Sequence, residues 1–429
     1  MIKEQATYTR AYLIEANCEG LFTESEIAKR LKLTPRRIQQ IKHRYREIGD
    51  NAFVHGNTGR CPKHKISEET RNRIIELKLS DVYRKANFAH FTEILAEMGI
   101  VVSYTTIRNI MKEAKHKSPK SRRPKKEKQA HPPRPRRESF GEMLQADSSP
   151  YDWFGTGENL SLHGFIDDAT STVTGLYLEK NECLLGYLEV ARQTIERHGI
   201  PSELYPDKAS VFFVAPREKE NLTIEEQLEG IEEKITQLGL IMAELGVDMH
   251  PAHSPQAKGR IERLWGTLQS RLPVEFRRRG IATMSAANDF LIREYIPSYN
   301  KEFAVTPASN ASRFVRLYDT SILDTLLVCR IPRKTDNSGV FQFHNHKFIV
   351  PDPACRGKKI DLVMSEKIGF KAMLGRHGPL YEIQYCDFYK NKQIKSHIPD
   401  VTRFFIDRYL KSSVKETTKR DPFQKPSSW

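Results

Sequence analysis

The amino-acid sequence predicts a multidomain protein with an all-α N-terminal part, a central α/β domain and a small all-β C-terminal domain. Three observations predict it. Charge is partitioned: residues 1–138 carry 31 Lys+Arg against 16 Asp+Glu, residues 139–309 carry 16 against 26, and residues 310–429 carry 22 against 12. A segment that cannot pack, residues 116–137 with ten basic residues, one acid and five prolines, parts the first block from the second. The apolar spacing then changes from helical to alternating strand and helix, and finally to strand-like. With 429 residues, 38% of them hydrophobic, there is room for roughly two to four domains. No run of about 18 apolar residues occurs, which excludes a helical membrane span. The first residues lack a secretion-type apolar segment, and the six cysteines are scattered without a CxxC pair. A disulfide framework is therefore excluded and a cytoplasmic location expected. The net charge of +15 points to a polyanionic partner, nucleic acid before membrane.

Residues 1–60 are expected to form a helix-turn-helix domain. Ile27, Ala28 and Leu31 share one helical face. Thr34 can cap a second helix with Pro35 at its first position, where a missing N–H costs nothing. Ile38 and Ile41 then face inward. Arg36, Arg37, Gln39, Gln40 and Lys42 face outward, with amides and guanidiniums that can bond base edges and cations that can pair with phosphates. Residues 61–115 read as a second helix-turn-helix-like domain, with one helix opening at Ser67 and another at Ser103. His55, Cys61 and His64 match no familiar zinc spacing and are read as scattered surface residues. Residues 116–138 are an extended basic linker in which Arg122, Arg123, Lys125 and Lys126 are candidate sequence-independent phosphate contacts.

Residues 139–309 carry the candidate chemistry. A short apolar stretch ends in Asp147. Two strands over 160–168 and 171–178 meet at a turn containing Asp167 and Asp168, and a helix covers 184–198. A strand after Pro201 ends near Asp207, and a loop from His250 passes into a helix carrying Glu262. Asp167 and Asp168 are better read as turn residues than as metal ligands, and Trp265 as core. An insertion at about 215–246 separates Asp207 from Glu262. Ile224, Leu228, Ile231, Ile235, Leu238, Met242 and Leu245 recur at heptad spacing, which predicts one long helix packed on its own core or paired between protomers.

The strand-Asp, strand-Asp pattern, followed by Ser254-Pro255-Gln256-Ala257-Lys258-Gly259-Arg260-Ile261-Glu262-Arg263, resembles the core of the DDE transposase and integrase superfamily. Bacterial insertion-sequence transposases of the ISNCY type are the nearest match. The resemblance implies an RNase H-like integrase core with Asp147, Asp207 and Glu262 as the catalytic triad. It further implies two Mg²⁺ ions, with Mn²⁺ able to substitute, Asp147 bridging both and the other carboxylates holding one each. Three oxygen ligands suit hard divalent ions. Such a pair activates the attacking oxygen and stabilises the leaving one, so that water cuts the transposon end and the freed 3′-OH attacks target DNA. Lys258, Arg260 and Arg263 would contact DNA near the scissile phosphate.

Residues 310–400 are expected to begin with a helix over 310–325. Strands follow, including a hairpin over 340–350 turned at His344-Asn345-His346. By resemblance this part is an SH3-like barrel, with Lys358, Lys359, Lys367, Lys371 and Arg376 as a non-specific DNA clamp. Residues 401–429 read as a basic tail, polar and disordered over 411–429. The whole chain thus reads as a transposase acting on its element's terminal inverted repeats and on target DNA. It would be homo-oligomeric on DNA ends and associated with the nucleoid. A catalytically inactive DNA-binding regulator and an RNase H-like nuclease are the alternatives, and a tyrosine recombinase finds only a bare His43-Arg44-Tyr45-Arg46.

Overall fold

The computed structural model describes residues 2–53, 66–119, 134–207, 209–214, 235–252, 258–344, 346–386 and 398–412. The chain divides into two compact units, Met1–Arg73 and Ile74–Trp429. His55, Cys61, His64, Arg122, Arg123, Lys125, Lys126 and Ser254 to Ala257 lie outside the described residues.

The first unit contains helices α1 (Ile2–Cys18), α2 (Glu24–Leu31) and α3 (Pro35–Ile48). Local chemistry sets its turns. The Thr23 hydroxyl accepts the Glu26 N–H while the Glu26 carboxylate accepts the Thr23 N–H at 2.8 Å, closing a capping box at the start of α2. Lys32, at φ 53°, ends α2 in the left-handed conformation. Thr34 then caps α3 ahead of Pro35. Leu13 and Ile14 of α1 pack with Ile27, Ala28 and Ile38 to form the buried core.

The division falls within α4 (Glu68–Leu79), and the second unit continues with α5 (Phe88–Glu97, capped by Asn87) and α6 (Tyr104–Glu113, capped by Ser103). Its central sheet has strands β1 (Met143–Tyr151), β2 (Leu160–Asp167), β3 (Val173–Glu179), β4 (Glu203–Tyr205) and β5 (Asp248–Met249) in the order β3-β2-β1-β4-β5. The first three pair antiparallel; β4 and β5 join parallel. Helix α7 (Leu184–Arg197) and α8 (Gln237–Glu244) share a core with Leu144, Ala146 and Phe165 on one face. On the other face lie α9 (Gly259–Arg279), α10 (Met284–Phe290) and α11 (Ile296–Phe303), the last two joined by a π turn. All eight residues of β2 are buried, the polar Ser161, His163 and Asp167 among them.

Beyond residue 328, β6 (Cys329–Lys334), β7 (Val340–Phe343), β8 (His346–Ile349), β9 (Lys359–Ser365), β10 (Gly369–Met373), β11 (Leu380–Glu382) and β12 (Gln384–Cys386) form sheets ordered β11-β10-β9-β6 and β12-β8-β7. Helix α12 (Ile398–Ile406) closes them through Phe405, fully buried against Phe343 and Phe370. The same apolar cluster runs from Leu144 through α7 to Leu410, so the C-terminal sheets share one core with the α7 face of the central sheet.

Three expectations are corrected. Residues 310–319 are not helical; Val315 pairs with Ile200 in an isolated antiparallel bridge, and only Thr320–Leu326 turns helically. The single long helix over the insertion is interrupted at Thr236, whose extended backbone (φ −69°, ψ 158°) caps α8. Ile224, Leu228 and Ile231 lie outside the described residues, while Leu238, Ile241 and Met242 pack inward on the sheet's core. Residues 401–411 are helical and packed, and residues 413–429 lie outside the description.

Helix α5 is tied to the C-terminal half of α9 by charge. His90 Nε2 meets Glu275 Oε1 at 2.8 Å, Arg278 donates to Glu275 at 2.8 Å and to Glu97 at 2.7 Å, and Arg271 pairs with Glu93. Burial pushes the Glu275 carboxyl up, but the His90 hydrogen bond and the Arg278 charge outweigh it and hold the group at about 2, below its ordinary 4.5. A depressed carboxyl stabilises the fold above its unfolded value and loses that contribution as pH falls toward the folded one. Thermal stability is therefore expected to drop between about pH 4.5 and 2, and melting curves of Glu275→Gln across that window should show a shallower decline.

Candidate active site

Strand pairing brings the first two candidate carboxylates together. In the parallel β1–β4 ladder Gln145 lies opposite Tyr205. Asp147 and Asp207 each follow two residues later, on strands about 4.8 Å apart. Asp207 lies just beyond β4, with its Oδ1 accepting the Ala209 N–H at 2.9 Å. Asp147 is held from α9. Lys258 Nζ lies 2.9 Å from Asp147 Oδ1, and the Trp265 indole N–H donates to Oδ2 at 2.9 Å. Trp265 reaches that far because Gly164 is the residue opposite Asp147 on β2; a Cβ there would stand 2.9 Å from the Trp265 ring. Lys258 and Trp265 lie seven positions apart on nearly one helical face, and Glu262 projects from the first turn between them.

The start of α9 is fixed by one buried carboxylate. Asp168, fully buried, meets Arg260 Nη1 at 2.8 Å, accepts Gln145 Nε2 at 2.8 Å and the Arg137 N–H at 2.8 Å, and pairs with Arg134. Gln145 in turn accepts the Ile261 N–H at 3.1 Å. Asp167 is equally buried and accepts N–H groups of Gly141 and Thr170 at 2.9 and 2.7 Å. Both aspartates thus have their carboxylate oxygens engaged by partners within the fold.

A further acid was not singled out from the sequence. Glu182 precedes α7 and accepts the Tyr187 hydroxyl at 2.5 Å. Burial raises its carboxyl above the ordinary range, the Tyr187 bond lowers it, and the negative charges of Asp207 and Asp147 raise it further, so Glu182 lies within electrostatic reach of both. Tyr187 is positioned by Phe212, whose ring centroid is 4.5 Å away, and by His163, edge-on at 4.8 Å. Burial holds His163 neutral, at about 4, and its Nε2 accepts the Cys183 N–H at 3.1 Å. A Cβ at Gly186 would fall 2.3 Å from the His163 ring, so this packing requires glycine. The only sequence signal for Glu182 is its place just before an apolar helix.

The other sequence-selected residues divide by exposure. Arg36, Arg37, Gln39 and Gln40 are exposed on α3; Gln39 also donates to Glu24 at 2.8 Å, and Lys42 is partly buried 3.7 Å from the same carboxylate. Arg263 is exposed, with its Nε on the Gly259 carbonyl at 2.9 Å. Two expected DNA contacts are corrected in this structure, because Lys258 and Arg260 are buried and turned inward onto Asp147 and Asp168. In the C-terminal sheets Lys367 pairs with Asp324 at 2.7 Å and Lys371 pairs with Glu382. Glu262 is exposed. Among the described residues no three His, Cys, Asp or Glu side chains are gathered closely enough to form a finished metal cluster.

No family model matches the chain. It is 33% identical over 421 residues to the transposase for insertion sequence IS1202 of Streptococcus pneumoniae, covering 91% of this chain and 87% of that protein. It is 34% identical over 293 residues to a candidate transposase, y4bF of Sinorhizobium fredii, covering 68% and 60%. Among solved structures, a simian T-cell lymphotropic virus intasome in complex with the PP2A regulatory subunit B56 gamma matches at 12% identity, over 73% of this chain and 95% of that one, with a TM-score of 0.29. The HTLV-2 integrase catalytic core domain in complex with magnesium, dimeric form, matches at 16% identity over 36% and 85%, with a TM-score of 0.24. No helix among the described residues is long and apolar enough to cross a membrane.

The seat of Trp265 is directly testable. Gly164→Ala must push the indole off Asp147, and overpacking of this kind costs about 1–3 kcal/mol. Denaturant unfolding should show that loss.

Proposed function

We propose, on the premise that the chain belongs to the transposases of insertion sequences within the DDE transposase and integrase superfamily, that it cleaves its element's ends and joins them to target DNA with a divalent cation held by Asp147, Asp207 and Glu262. The observation that carries this reading is the parallel β1–β4 register, in which Asp147, within β1, and Asp207, just beyond β4, each follow two residues after the paired Gln145 and Tyr205, with Glu262 in the first turn of α9. The strand order β3-β2-β1-β4-β5 supports an RNase H-like core, and the two small sheets after residue 328 support an SH3-like barrel.

The donor set fits magnesium or manganese, since all three side chains offer hard carboxylate oxygen. Asp147 also already carries a positive group, the Lys258 ammonium at 2.9 Å. When bound, the cations, two in the DDE reading, supply Lewis-acid activation of the attacking oxygen and charge stabilisation of the leaving one. The protein's own residues do the positioning. Trp265 fixes the plane of the Asp147 carboxylate, and Asp168 and Gln145 set the first turn of α9 against β1. The nucleophile is water for end cleavage and the freed 3′-OH for joining, so no side chain need form a covalent bond to DNA.

Arg36, Arg37, Gln39 and Gln40 on α3 would read the terminal repeats, with Arg263 and the linker's Arg122, Arg123, Lys125 and Lys126 on phosphates. Joining two ends in one event requires more than one copy of the chain on DNA.

Glu262→Gln is expected to retain binding to the element's terminal DNA and to lose Mg²⁺-dependent cleavage and joining. Undiminished cleavage of a labelled end by this variant would remove Glu262 from the site. Arg36→Ala and Gln40→Ala should each weaken selective end binding by about 1–3 kcal/mol in competition gel shifts, with little change in affinity for unrelated duplex.

A further inference from the structure

Lys258 and a divalent cation compete for the same oxygen. The Lys258 side chain is buried, and its ammonium stands 2.9 Å from Asp147 Oδ1. The second oxygen of Asp147 is taken by the neutral Trp265 N–H. The indole is wedged over Gly164, with Leu268 and Leu272 of the same helix buried beyond it, so the carboxylate is not free to turn away. A divalent ion binds carboxylate oxygen at about 2.0–2.1 Å. A second positive charge on that oxygen would repel it at close range in a partly buried setting. Of the two positive partners, Lys258 is the one able to leave: its ammonium rides on a flexible four-carbon stem at the N-cap of α9, where it makes no side-chain capping bond.

From this geometry we propose that Lys258 is an internal placeholder cation. It neutralises Asp147 while the site holds no divalent ion, opposes ion entry, and on entry is displaced from Oδ1. The proposal rests on the reading of Asp147 as a cation ligand given above. It makes Lys258 a positioning residue that sets how readily the site is charged, with a sign opposite to that of an ordinary structural ion pair. Removal of the lysine should tighten cation binding.

The test is direct Mn²⁺ titration of the full chain without DNA, followed by the electron paramagnetic resonance signal of free Mn²⁺, in the wild type, Lys258→Met, Lys258→Gln and Asp147→Asn. Lys258→Met is expected to bind on the order of tenfold more tightly, the size of effect produced by altering a neighbour of a metal ligand. Lys258→Gln, which keeps a neutral hydrogen-bond donor, should also tighten and serves if the methionine variant does not fold. Asp147→Asn should lose the site. Unchanged or weaker binding in the folded Lys258 variants, with binding lost in Asp147→Asn, would overturn the placeholder role and leave the catalytic reading standing. Wild-type binding by Asp147→Asn would overturn both.

Discussion

The structure around the candidate site depends on one buried carboxylate. Asp168 has no solvent exposure, yet it holds hydrogen-bonding and charged partners from three separate parts of the chain: Arg134 and the Arg137 amide at the end of the basic linker, Gln145 on β1, and Arg260 in the first turn of α9. A carboxylate taken out of water is costly unless its lone pairs are filled. Meeting that requirement forces the three segments to converge. Glu262 and Lys258 each lie two residues from Arg260, so the placement of the third candidate carboxylate is set by a residue that takes no part in the chemistry. The end of the linker is clipped to the same point.

The acidity of the core then has a local meaning. Asp147, Asp207 and Glu182 lie near one another, and among the described residues Lys258 supplies the positive group on Asp147. Tyr187 and its aromatic neighbours hold Glu182 rigidly, so the pocket cannot relieve its charge by letting side chains swing apart. A site of this kind favours whatever cation can enter it, and it repels phosphate until one does.

Much of this was legible from the sequence, and the pattern of what was not is physical. The turns of α2 and α3 are written in adjacent residues: Thr23 with Glu26, Thr34 with Pro35. The β7–β8 hairpin is likewise local. The strands that carry Asp147 and lead to Asp207 were visible as short apolar stretches, although β1 runs on past Asp147 to Tyr151 and β4 stops at Tyr205. The misreadings fall where a distant partner decides. Val315 is extended because Ile200 pairs with it, and residues 402–411 are helical because Phe405, Ile406 and Leu410 are buried, Phe405 against Phe343 and Phe370. Lys258 and Arg260 look like outward bases on a helical wheel; only the positions of Asp147 and Asp168, more than 90 residues earlier in the chain, turn them inward. Glu182 could not be distinguished in one sequence from any polar residue before a helix.

The shared core between the central sheet and the C-terminal sheets carries a consequence for how the molecule is made. Phe405 and Leu410, near the end of the described chain, belong to the same apolar cluster as Leu144 on β1. Contacts of such sequence separation form late and slowly, because a long loop must close before they reward the chain. During synthesis the sheet bearing Asp147 and Asp207 therefore lacks part of its covering until α12 has emerged. A chain interrupted before that helix would expose Phe343, Phe348 and Phe370 together, a patch suited to capture by chaperones or to aggregation. Full covering of the sheet that bears Asp147 is thus coupled to synthesis through Leu410.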